Sequence, residues 1–292
     1  MLPARFEEYI ASACDRLAFL QDYLSQGGVS SSVINVAGRK HLYVNFPVSS
    51  YDPFFKIKTI ICHYDRVEGS PGANDNSAAN FAAADFAIRL MKEKNSHNIR
   101  IFFTDGEELG ESGVKGQGAF SLAELFRKCS IAADDVFVFD ACGRGTVPVL
   151  AQTGLLNNAG LSFRKKFASL FSRTQEILKS VSPESWMTLP VPYSDNAGFL
   201  ALGIPAVAVT FLPRDEATYY YKNLMREKNL AKAVMNMKLD DEGLYRFKYQ
   251  ELFPDTWRLF HTEYDNALSL TPESFDLLAK ILDAVKALKT PA

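Results

Sequence analysis

Five short stretches of this sequence set acids and histidines where they could do chemistry. The run IFFTDGEELGESG, residues 101–113, groups Asp105, Glu107 and Glu108 around Gly106 directly after strand-forming residues. His63 and Asp65 follow IKTIIC, Asp140 follows DVFVF, Asp75 lies in SPGANDNSAAN, and His261 lies in WRLFHTEYDN. Adjacent carboxylates repel one another and lose hydration when buried, so such a cluster is stable only if exposed or interspersed with positive charge. Imidazole and carboxylate together suit a divalent transition metal such as zinc, and the cation would offset the repulsion. Neighbouring glutamates in a turn point in different directions, so one can bind metal while the other stays free as a base. Each residue taken singly also fits a plainer role: a solvated acidic turn, a core histidine at His63, a helix cap at Asp75. His41, in a hairpin, and His97, in the polar turn KNSHN, are given no function.

The elements that would position these residues alternate along the chain. An amphipathic N-terminal helix is expected to end at Gly27 and Gly28, followed by a hairpin of SSVINVA and HLYVNFPV turning at Gly38, Arg39 and Lys40. IKTIICH, NIRIFFTD, DVFVFD and IPAVAVTF read as buried strands. SAANFAAADFAIRLMKE, GAFSLAELFRKCS, SFRKKFASLFSRTQEILKS and TPESFDLLAKILDAVKALK read as helices, the last with Thr271 as N-cap and Pro272 at its first position. Continuous apolar strands separated by helices predict an α/β fold whose central sheet is mixed, largely parallel and covered by helices on both faces. In such sheets the ligand crevice lies outside the carboxyl ends of the strands, so His63, Asp65, Asp105, Glu107, Glu108 and Asp140 are expected on one rim.

Composition narrows the functional classes. The chain has 292 residues, 47% of them hydrophobic, enough for a full core, and 32 basic against 34 acidic side chains. That balance supplies no positive field for nucleic acid, and no polybasic run stands beside an apolar face to hold a membrane. Charged residues interrupt the N-terminal segment, so it does not read as a signal peptide, and a cytoplasmic location is expected. Cys14, Cys62, Cys129 and Cys142 lack paired metal-type spacing and read as buried free thiols. Residues 1–292 are expected to form one domain.

The segments CHYDRVEGSPGANDNSAAN, FFTDGEELGESG, FVFDACG, YSDNAGFLALGIPAVAV and FHTEYDNALSLTPES, taken in order, resemble the successive motifs of the zinc aminopeptidase family that includes bacterial leucyl aminopeptidases, aminopeptidase Y and the glutaminyl cyclases. The match runs from about residue 57 onward. It implies the zinc-exopeptidase fold, of phosphorylase/hydrolase-like type, with the site at the strand ends. Carried over residue by residue, it implies that His63 and Asp140 hold one zinc, Glu108 and His261 hold another, and Asp75 bridges them. Glu107 would be the general base, and Asp65 would orient the His63 ring. Asp195 matches the family's Ser-Asp element as an orienting residue, although Asn196 stands where the family commonly has His. Tyr193 is a candidate donor to a developing oxyanion.

The implied activity is removal of N-terminal residues from peptides by a water activated between two zinc ions, with manganese or cobalt as other possible metals. The alternative within the family is a glutaminyl cyclase, which would use a single zinc held by Asp75, Glu108 and His261. Cyclases commonly carry Trp directly before that histidine, whereas here Phe260 does and Trp257 stands four positions before His261. Because all five dinuclear positions are filled, a hydrolase is favoured. A non-catalytic binding module is a third reading, but such descendants usually lose a ligand or the base. The charged, tyrosine-rich stretch from about 213 to 254 reads as a helical insertion. It is either a pair packed on the body or a lid or subunit contact that narrows access to the site.

Overall fold

A computed structural model describes residues 2–108, 113–153, 159–235 and 249–292. Its centre is an eight-stranded sheet of β1 (Ser31–Val36), β2 (Arg39–Val44), β3 (Lys58–His63), β4 (Ile99–Thr104), β5 (Asp135–Phe139), β6 (Val147–Ala151), β7 (Met187–Leu189) and β8 (Ala206–Leu212). The spatial order is β1-β2-β4-β3-β5-β8-β6-β7. The four inner strands β4, β3, β5 and β8 are mutually parallel, and β7 is parallel to β6. The β1–β2, β2–β4 and β6–β8 pairs are antiparallel. The expected mixed, largely parallel sheet is therefore present.

Every residue of β3, β5, β6 and β8 is buried, as uninterrupted apolar strands require when both faces are covered. Helices α1 (Phe6–Ile10), α2 (Arg16–Gln26), α3 (Ala78–Met91), α4 (Gly118–Lys128), α5 (Leu161–Val181), α6 (Asn196–Ala201), α7 (Arg214–Arg226), α8 (Leu230–Val234), α9 (Asp255–Leu259) and α10 (Glu273–Ala287) surround it. Helices α3, α5 and α10 pack together on one face, and α4 and α6 on the other. Among the described residues no helix is long and apolar enough to cross a membrane.

Several expectations need correction. The N-terminal helix is broken in two, because Asp15 accepts a hydrogen bond from the Ala18 N–H and starts α2 afresh. Strands β6 and β7 and helix α6 had no counterpart in the sequence reading. Thr271 does not cap α10; its hydroxyl accepts from the Gly145 N–H, and Pro272 takes the cap position without a side-chain bond. Cys62 and Cys142 are buried free thiols, but Cys129 is exposed and Cys14 half-buried. His97 is not in a solvated turn: it is buried with its ring edge-on to Phe46. The described part of the expected 213–254 insertion contains α7 and α8, while residues 236–248 lie outside the described residues.

Candidate metal centre and active-site cleft

Strand polarity assembles the site. β4, β3 and β5 are parallel neighbours, so their carboxyl ends share one rim, with His63 as the last residue of β3 and Asp140 directly after β5. After β4, Gly106 has φ +85°, a conformation natural only to glycine, and the turn it makes sends Glu107 and Glu108 back toward the rim. The Gly118 N–H donates to the Gly106 carbonyl, and a Cβ at Gly118 would overlap the Asp105 carbonyl oxygen. Only glycine lets α4 start this close to the turn. Gln117, at the head of α4, thereby donates from its side-chain amide to Glu107 Oε1 at 2.9 Å.

Asp75 comes from the tight turn Ala73–Ser77 ahead of α3, where its backbone is extended out of helical geometry and the Asp75–Asn76 peptide is cis. Buried Asp265 receives the N–H groups of Asn74 and Asp75 at 2.8 and 3.0 Å. Asn76 locks this turn to β5 by donating to the Phe139 carbonyl and accepting from the Ala141 N–H. His261 follows α9 with φ 63°.

The side chains meet. His63 Nε2 stands 3.1 Å from Asp75 Oδ1 and 3.4 Å from Asp140 Oδ1. His261 Nε2 stands 2.7 Å from Glu108 Oε2 and 3.5 Å from Asp75 Oδ2. Three sets, His63 with Asp75 and Asp140, Asp75 with Glu108 and His261, and His63 with Glu107 and Glu108, each bring one potential ligand atom per residue within 4.8 Å of the others. Asp65 Oδ1 lies 3.5 Å from His63 Nδ1, and its other oxygen accepts from the Glu108 N–H at 3.0 Å. Neither ring nitrogen of buried His63 makes a hydrogen bond of acceptable geometry. A lone pair among carboxylates with no aligned donor is what a cation would satisfy, so the donor set fits a divalent metal.

The electrostatics agree. Burial pushes the Glu107 carboxyl well above the ordinary range, reinforced by the charges of Asp140, Asp195 and Glu108. Burial, with Asp75 nearby, raises Glu108 to about 7. Burial opposes the charged form of His63, but Asp140, Asp65 and Asp75 outweigh it and raise the ring well above 6.5. Hydrogen bonds to Asp75 and Glu108 lift His261 to about 10. Protons thus supply the positive charge that the cluster needs, and a metal would displace them.

The cluster floors a cleft of about 430 Å³. Glu107, Glu108, Asp75, Asp140 and His261 line it beside Tyr193, with Val191, Val234, Trp257 and Phe260 as apolar walls. Asp195 does not join the ligand sets: it is fully buried, accepts from the Thr104 hydroxyl, and is raised to about 7 by burial. Gln117 and Asp265 were missed in the sequence. Asp265 sits in the quoted segment FHTEYDN, but its task of receiving backbone N–H groups has no spacing signature.

The sequence matches the model of peptidase family M28 over residues 56–285. No curated protein sequence matches the chain. Among solved structures, the LapA aminopeptidase of Legionella pneumophila is 15% identical with a TM-score of 0.62, covering 97% of this chain and 68% of its own. BSAP, a zinc aminopeptidase from Bacillus subtilis, is 14% identical with a TM-score of 0.53 over 84% of this chain and 49% of its own. The glutaminyl cyclase of Porphyromonas gingivalis is 16% identical with a TM-score of 0.57, covering 93% and 87%. These similarities establish a shared fold, and the family match extends from just before β3 into the last turn of α10, taking in every residue of the cluster. The chain belongs to peptidase family M28.

Proposed function

We propose that the chain is a co-catalytic zinc aminopeptidase. The observation that carries this reading is Asp75, whose two oxygens face different histidines, Oδ1 toward His63 and Oδ2 toward His261. A carboxylate shared in this way suits a bridge between two ions, one held with His63 and Asp140, the other with Glu108 and His261. Bound zinc supplies Lewis acidity, lowering the pKa of a water and polarising a carbonyl.

Glu107, which in this reading stays off the ions although it also converges with His63 and Glu108, is steadied by Gln117, takes the proton of the attacking water and returns it to the departing amine. Asp65 keeps the His63 ring oriented from the Nδ1 side. Tyr193, which lines the cleft, would donate from its hydroxyl to the substrate carbonyl. The apolar walls formed by Val191, Val234, Trp257 and Phe260 accept a substrate side chain, and Val234 brings the insertion into contact with substrate.

A single-zinc glutaminyl cyclase is the second reading, favoured by the fact that Asp75, Glu108 and His261 converge as a complete set without His63. Elemental analysis, paired with assays of an aminoacyl anilide and an N-terminal glutaminyl peptide, separates the two. We expect close to two zinc ions per chain and anilide hydrolysis. One zinc with ammonia release from the glutaminyl peptide would replace the aminopeptidase reading by the cyclase.

A further inference from the structure

Arg16, in the first turn of α2, lies outside the stretch matched by the family, yet it is 5% exposed and reaches the loop that joins His63 to Asp75. Among the described residues it has no carboxylate partner within salt-bridge distance. Its Nη1 donates to the carbonyl of Tyr64 at 3.1 Å and lies 3.5 Å from that of Asp65. Its Nη2 donates to Pro71 O at 2.6 Å, Gly72 O at 3.3 Å and Ser77 Oγ at 2.9 Å. The flat guanidinium therefore grips both ends of the loop, and its face lies over the Tyr9 ring at 4.9 Å. From the other side, Arg66 reaches out of the loop to the carbonyls of Ile10, Ala11 and Ser12, at 2.8, 2.9 and 3.0 Å, where α1 ends. It also shares the Pro71 carbonyl with Arg16, at 3.2 Å.

A buried cation carries a large desolvation cost, and carbonyl dipoles offset it only while they stay aimed at it. The charge and the loop geometry therefore fix each other. Lysine cannot replace this arrangement, because a single ammonium lacks the planar fork that spans two separated groups of acceptors. The helices that carry Arg16 are themselves anchored: Phe6, Tyr9 and Tyr23 pack around Phe81 of α3 with ring centroids 5.2, 5.4 and 5.2 Å away. A second link runs from Tyr9 through the Asn80 amide, which donates to both the Tyr9 hydroxyl and the His63 carbonyl.

We propose that Arg16 and Arg66 form a reciprocal clasp through which the N-terminal helices hold the loop from Tyr64 to Ser77, making Arg16 a positioning residue for the metal centre. This rests on reading that cluster as a metal centre. Asp75 belongs to two of the ligand sets and Asp65 backs His63, so loosening the loop weakens both ion positions together.

The test compares Arg16→Met and Arg66→Met with Arg173→Met, which breaks an ion pair to Asp135 at the opposite end of the sheet. The readouts are zinc affinity by chelator competition and the visible spectrum of the cobalt-substituted protein, each on protein shown to be folded by circular dichroism. Arg16→Met is expected to bind zinc at least tenfold more weakly and to shift the cobalt bands. Arg66→Met should move both readouts the same way by less, and Arg173→Met should lower the melting temperature while leaving both unchanged. Wild-type affinity and spectrum in Arg16→Met overturn the clasp, as does an equal loss in Arg173→Met. If Arg16→Met does not fold, Arg66→Met decides by the same criteria. A wild-type chain that binds no zinc removes the metal centre itself and this role with it.

Discussion

At the scale of single residues, the two adjacent glutamates divide their work by what each one faces. Glu108 points at His261, while Glu107 is held by Gln117 and carries a carboxyl pushed far up by burial. Replacing Glu107 with Gln is expected to leave zinc content near wild type and to cut kcat by about 10²–10⁴-fold, as the loss of a general base does. Loss of zinc in that variant would show that the glutamate roles are exchanged. Zinc affinity should also depend steeply on pH. His261, raised to about 10, Glu108, raised to about 7, and the raised ring of His63 hold protons that zinc must displace. Affinity therefore rises with pH, by roughly tenfold per unit for each proton released, between pH 6 and 8; a flat chelator-competition profile would contradict this. All the candidate ligands were legible in the sequence because each strand-end residue follows an apolar run and the resemblance fixed the others. Gln117 and Asp265 were not, because they act through a side-chain amide and through backbone N–H groups, and neither leaves a spacing pattern.

At the scale of elements, a half-buried acid ties the insertion to the cleft. Glu216 of α7 accepts from the N–H and hydroxyl of Thr256 at the start of α9, both at 2.8 Å, and from Arg144 at 3.0 Å. Arg144 itself follows Asp140 by four residues and also donates to the Ser269 carbonyl. α9 leads directly into His261, so Glu216 braces the histidine from outside. Glu216→Ala leaves Arg144 partly buried and unpaired, at a cost of ~2 kcal/mol or more. Under the two-ion reading it should weaken the position at His261 more than that at His63, read as loss of one zinc per chain before the other during dialysis against a chelator. Loss of both together would mean that the brace serves the whole site. Elements escaped the sequence reading where they are short or carry a breaker. β6 contains Pro148, β7 is three residues long, and α6 spans six residues with a central Gly198. Tertiary pairing supplies what their local pattern does not, since β6 is hydrogen-bonded on both sides, to β8 and β7.

For the whole molecule, two histidines outside the site contribute to the response to acid. His41 and His97 are buried, and burial lowers each ring to about 4 from 6.5. Each Nδ1 accepts a backbone N–H, from Asp105 and Ile99 respectively, so the neutral form belongs to the folded state. As pH falls below 6.5 the unfolded chain takes up these protons first. The stability they contribute is complete above pH 6.5 and is lost progressively down to about pH 4, by up to ~3 kcal/mol for each ring. Asp134 and Asp265, both raised to about 6, act in the opposite sense over part of that window, so the comparison must be between variants. Urea titrations of wild type and His97→Gln at pH 7 and pH 4.5 should show a smaller acid loss in the variant, and equal losses would remove His97 from the account. The architecture as a whole was legible because the inner strands are continuous apolar runs, whereas the burial of His41 and His97 is set by packing partners distant in sequence.

The side chains proposed as ligands run from residue 63 to residue 261, and the last of them follows β8, the final strand of the sheet. A growing polypeptide thus gathers His63, Asp75, Glu108 and Asp140 while the sheet is still being completed, and gains His261 only afterwards. No fragment that stops within the sheet contains the full set. On the proposed reading, the ion position shared by Asp75, Glu108 and His261 therefore stays incomplete until the stretch after β8 has folded onto the rim.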